Sequence, residues 1–81
     1  MTTEKFYYDQ ILHITKDYLG PAAERFLSRQ IDSHLRKSQD QLVKSDIPAL
    51  AIRIRSGLLV LTSDEAVVEE AYHRIAALAD Q

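Results

Sequence analysis

The chain has 81 residues, 46% of them hydrophobic and 27% charged, with a formal net charge of −2 and no cysteine. That length bounds one small domain, able to fold alone while burying only about 60 to 65% of its unfolded surface, and the composition is that of a folded globule rather than a disordered segment. Without cysteine there are no disulfides, thiolate nucleophiles or thiolate metal sites, and a net negative charge argues against a surface built throughout to hold polyanions, whose binding rests on phosphate neutralisation.

No apolar stretch approaches the roughly 20 residues that span a bilayer. The start, Met1-Thr2-Thr3-Glu4-Lys5, lacks the basic and apolar blocks of a secretory signal. A cytoplasmic protein is the expectation, which the lack of cysteine fits.

Thr3 and Glu4 read as an N-cap and a first-turn acid, opening a helix that runs to about Leu19. Its apolar stripe is Tyr7, Tyr8, Ile11, Leu12, Ile14, Thr15, Tyr18 and Leu19, with Phe6 on the polar side. Gly20 supplies a left-handed C-cap and Pro21 can start but not continue a helix, so Gly20-Pro21 is a tight corner between two helices. The second helix is predicted from Pro21 to about Lys37, with Ala23, Phe26, Leu27, Ile31 and Leu35 inward and Arg25, Arg29, Asp32 and Arg36 outward. Ser38 and Gln41 stand at capping-box spacing and suggest a short helix carrying Leu42 and Val43, with continuous helix to residue 44 as the competing reading.

Ile47 to Leu61 is the most apolar segment of the chain. Wound as a helix it places Ile47, Leu50, Ala51, Ile54, Leu58 and Leu61 on one side and Ala49, Ile52, Leu59 and Val60 on the other, with Arg53 and Arg55 at the borders. Asp46 as N-cap and Pro48 in the first turn favour that helix. Gly57 counts against it, by about 1 kcal/mol relative to Ala. The alternative is a hairpin within 50–62, because Ile52-Arg53-Ile54-Arg55 alternates and Ser56-Gly57 could turn into Leu58 to Leu61. Thr62 and Glu65, at capping-box spacing, then open a last helix from Asp64 to about Ala79 with Val67, Val68, Ala71, Tyr72, Ile75, Leu78 and Ala79 inward. Glu69–His73 and Glu70–Arg74 have the favourable acid-first spacing of four.

The pattern predicts an all-α single domain, residues 1–81: a compact bundle of four long helices and one short one, with α+β as the alternative if 50–62 is a hairpin. A helix apolar on both sides either sits at the centre of a bundle or is shared with a partner chain.

Several polar groupings carry candidate chemistry. Asp9, His13 and Asp17 recur every four residues as a divalent-metal set would, yet three ligands on one straight helix do not converge on one ion, and a solvated ion-paired face explains them. Gln30 and His34 interrupt the apolar stripe of helix two; they either bond to backbone or a tyrosine hydroxyl, or face a second subunit or ligand. Arg25, Arg29, Arg36 and Lys37 form a basic row that could track phosphates, but Asp32 lies within it and neutralises it. No serine stands in a Gly-x-Ser-x-Gly setting and no glycine-rich phosphate loop exists, so neither an enzyme nor a resident cofactor or small-molecule substrate is expected.

At Tyr18-Leu19-Gly20-Pro21-Ala22-Ala23-Glu24-Arg25-Phe26-Leu27-Ser28-Arg29 the chain resembles a small helical module of unassigned activity found at the ends of bacterial signalling proteins, including serine/threonine kinases and response regulators. The resemblance implies an accessory interaction or oligomerisation role and transfers no functional residue. The sequence departs from that pattern in having no attached kinase or receiver domain, so an excised domain and a free-standing regulator are both open.

The expected function is non-catalytic association, as a homodimer or with another protein, in bacterial signalling or regulation. Ala49, Ile52, Arg53, Arg55, Leu59 and Val60 form the expected interface, with Gln30 and His34 as further candidates. The alternative is a small nucleic-acid-binding regulator using Arg25, Arg29, Arg36 and Lys37.

Overall fold

A computed structural model describes residues 6–35 and 42–80, except for the side chains of residues 34 and 35. The expected cap at Thr3–Glu4, the start of a short helix at Ser38, and Arg36 and Lys37 lie outside the described residues, but Leu42 and Val43 are described and are not helical, Val43 being extended, so neither a short helix carrying them nor continuous helix to residue 44 is formed there. What is described is all-α, and the chain is helical through Leu61 in the 50–62 stretch for which a hairpin was the alternative.

Helix α1 spans Phe6–Leu19 and turns Tyr8, Ile11, Ile14 and Thr15 inward. Thr15, the one buried polar residue among those described, donates its hydroxyl to the Ile11 carbonyl at 2.7 Å, so its burial leaves no unpaired group. The helix ends where Gly20 takes φ 58°, a left-handed conformation that costs a side-chain-bearing residue about 1 to 2 kcal/mol.

Pro21 does not begin the second α-helix directly. Gly20–Ala22 form a 3-10 turn, and α2 is only Ala23–Gln30 before Ile31–Leu35 widen into a π-helical turn. The expected long second helix is therefore corrected: α1, α3 and α4 are long, and α2 is short. Of the residues expected inward, Ala23, Leu27 and Ile31 are buried and Phe26 is half-buried, while the side chain of Leu35 lies outside the described atoms.

A 3-10 turn at Lys44–Asp46 leads into α3, Ile47–Leu61. Asp46 was expected to cap α3; instead its carboxylate accepts the Val43 N–H at 3.0 Å and closes the preceding turn. Ile47, Leu50, Ala51, Ile54 and Leu58 are buried at 0 to 2% exposure. Full burial of such side chains contributes about 1.5 to 3 kcal/mol each for the larger ones, which outweighs the propensity cost of Gly57.

Helix α4, Glu65–Ala76, runs back along α3 in the most extensive helix pairing of the fold and tightens into a 3-10 turn at Ala77–Asp80. Its cap is Asp64 rather than the expected Thr62–Glu65 box. The Asp64 carboxylate accepts from Ala66 N and Val67 N at 3.1 and 3.3 Å, while Thr62 Oγ1 takes the Asp64 N–H at 3.2 Å. Val68, Ala71, Ile75 and Leu78 join α1, α2 and α3 in one core. The molecule measures 38 × 24 × 21 Å.

Candidate functional site

Because α3 spends only one side on the core, its other side meets solvent. Ala49, Ile52, Arg53, Ser56, Leu59 and Val60 are all exposed, Ile52 at 54%, Leu59 at 42% and Val60 at 84%. Leu61 was expected on the core side but is 58% exposed, since it is the last residue of the helix, just before the chain turns off toward α4. One helix thus carries fully buried core residues and also most of the exposed large apolar ones among the described residues. Phe6 and Val43 are the others.

The two border arginines have different surroundings. Arg53 is exposed on the outward side. Arg55 is half-buried toward α4, where its Nε and Nη2 both reach Glu69 Oε2, Nε at 2.6 Å, and its guanidinium carbon lies 5.9 Å from the centre of the Tyr72 ring. Glu69 Oε1 lies 3.9 Å from His73 Nε2, a weak second contact on an exposed imidazole.

The border with α2 is set by Gly57. A β-carbon there would lie 2.7 Å from Phe26 Cε1 and Cζ and 3.3 Å from Gln30 Nε2. Gln30 therefore sits between α2 and α3 of its own chain, beside the outward side rather than on it. His34 falls in the π-helical turn, and its side chain lies outside the described atoms.

Arg25 and Arg29 are exposed on α2, as is Asp32 in the turn that follows. Asp9 and His13 are exposed on α1, while Asp17 is engaged by Arg74 Nη2 at 2.8 Å. Among the described residues no group of three His, Asp or Glu is arranged to hold a metal ion, and no helix is long and apolar enough to cross a membrane.

A polar cluster that sequence spacing missed ties α1 to α4. Tyr18 donates its hydroxyl to Glu70 Oε1 at 2.9 Å and accepts from Arg74 Nη1 at 3.0 Å, with the Arg74 guanidinium 5.5 Å from the Tyr18 ring centre. The expected Glu70–Arg74 pair along α4 is replaced by this bridge through Tyr18. Hydrogen bonding to Tyr18, then to Asp17, raises the Arg74 pKa above the ordinary arginine value. Nothing in the spacing of residues 52 to 57 positions apart announces such a cluster, which only helix packing brings together.

By fold and surface this is a small all-α protein whose longest described helix is apolar on two sides. Comparison with protein-family models, characterised proteins and solved structures returned no match.

Proposed function

We propose that the protein works by association, and that the outward side of α3 is the surface through which it binds another protein subunit. The observation that carries this reading is the exposure of Ile52, Leu59 and Val60 together on one helix side. Water contact with exposed apolar surface is unfavourable by roughly 25 cal/mol per Å², and clustered apolar side chains on a protein surface often mark interaction sites. Arg53 and the Arg55–Glu69 pair flank it as a polar rim flanks an apolar interface centre. No catalytic constellation has to be assumed.

The reading is tested by comparing the wild-type protein with Ile52→Glu. Sedimentation measures self-association, and affinity capture from a lysate measures association with other proteins. A folded Ile52→Glu protein, judged by circular dichroism, should lose at least one association that wild type makes. Equal behaviour of the two proteins in both measurements overturns the reading.

A further inference from the structure

Charge is unevenly spread over the fold. Helix α3 carries Arg53 and Arg55 and no acidic residue, whereas α4 and its cap carry Asp64, Glu65, Glu69 and Glu70. Arg55 is held by Glu69 on the α4 side. Arg53 lies one turn before Gly57, on the opposite border of α3, where Phe26 and Gln30 of α2 pack. Across that border Arg25 and Arg29 stand four apart on one row of α2. Arg25, Arg29 and Arg53 are exposed and make no ion pair among the described residues. Asp32, expected to neutralise the α2 row, is exposed in the π-helical turn and makes none there either.

Apolar surface lies between these basic edges. With no side chain at Gly57, the ridge of α3 from Arg53 to Val60 has a gap that the half-buried Phe26 ring fills. Val60 and Ile52 stand beside it in solvent. Free guanidinium groups flanking apolar anchors select a ligand with the reverse charge in the same arrangement, carboxylates flanking an apolar stripe.

Resting on the reading of the outward side of α3 as an association surface, we infer that its occupant is an acidic amphipathic helix of another protein. It lies along the border of α2 and α3, with its apolar stripe on Phe26, Ile52 and Val60 and its carboxylates on Arg25, Arg29 and Arg53. A helix suits this surface because helices pair their own backbone groups and offer no edge to an added strand. A second copy is a poorer complement, since the Glu69 and Glu70 carboxylates of α4 would have to leave Arg55 and Tyr18. A polynucleotide is poorer still: three cations beside Asp32 neutralise few phosphates, and Val60 gains nothing from a phosphate backbone. The apolar area is small for a permanent complex, so the contact is a transient one in which charge sets specificity and on-rate.

The probe is a phage-displayed library of random peptides of about 16 residues, long enough to form a helix when bound, selected on the wild-type protein. Selected peptides should carry Asp or Glu on both flanks of apolar residues spaced three and four apart. Their affinity should fall about tenfold for the double variant Arg29→Gln, Arg53→Gln, folded by circular dichroism, and should fall as salt rises. Lys16→Gln, which removes an exposed cation from α1, should change it by less than about twofold. A library that yields no binder, selected peptides without an acidic excess, or equal affinity for wild type and the double variant would each overturn the acidic helix. So would tighter binding of wild type to duplex DNA, or to vesicles of phosphatidylcholine and phosphatidylserine, than to the selected peptides. If the acidic helix is overturned but Ile52→Glu still loses an association that wild type makes, this inference fails while the wider association reading stands.

Discussion

Phe26 occupies the space that a side chain at position 57 would need, its Cε1 and Cζ lying 2.7 Å from where a β-carbon on Gly57 would be. Gly57 is thus a packing residue inside a helix. Gly57→Ala gains about 1 kcal/mol of helix propensity but forces the Phe26 ring out of its half-buried seat, at a cost of about 1 to 3 kcal/mol. The net expectation is a loss of about 1 kcal/mol in urea unfolding. In a Phe26→Leu background the same substitution should become stabilising, and the double-mutant cycle measures the difference.

Tyr8 is 4% exposed, and its hydroxyl has no hydrogen-bond partner among the described residues. A buried unpaired hydroxyl costs about 1 to 3 kcal/mol. Tyr8→Phe keeps the ring and removes that group, so it should raise stability by about 1 kcal/mol with an unchanged urea m-value. A comparable loss would mean that the hydroxyl is paired in solution.

Arg74 is shared between Tyr18 and Asp17 at the α1–α4 edge, where all the groups are partly solvated. The pair Asp17→Asn and Arg74→Met should show a coupling of about 0.5 to 1 kcal/mol that shrinks as salt rises. With its pKa raised, Arg74 contributes stability that is complete below the ordinary arginine range and is lost only as pH climbs through the higher folded-state value. The coupling should therefore not vary across neutral pH through any change in the arginine's charge.

Two residues compete as the cap of α4, and the geometry favours Asp64, which accepts both Ala66 N and Val67 N. Asp64→Ala should cost about 1 kcal/mol in thermal or urea unfolding, as losing an N-cap does. Thr62→Ala removes only the contact to Asp64 N and should cost less. The reverse order would restore Thr62 as the cap.

The periodicity of Ile47, Leu50, Ala51, Ile54 and Leu58 predicts a core side that is buried as expected, and the same wheel predicts Ala49, Ile52, Leu59 and Val60 on the opposite side, where they are exposed. Both follow from the fixed angle between successive side chains on a helix, a property of local sequence. The left-handed Gly20 corner is legible for the same reason, since it depends on one residue's backbone freedom.

What neighbouring helices decide was out of reach of any one segment. Gly57 looked like a defect until Phe26 came against it, Leu61 lost its cover by ending its helix, and Arg74 turned from Glu70 toward Tyr18 and Asp17 because α1 lies alongside α4. Spacing along a chain sets which way a side chain points. Only the packing of distant segments sets what it meets there.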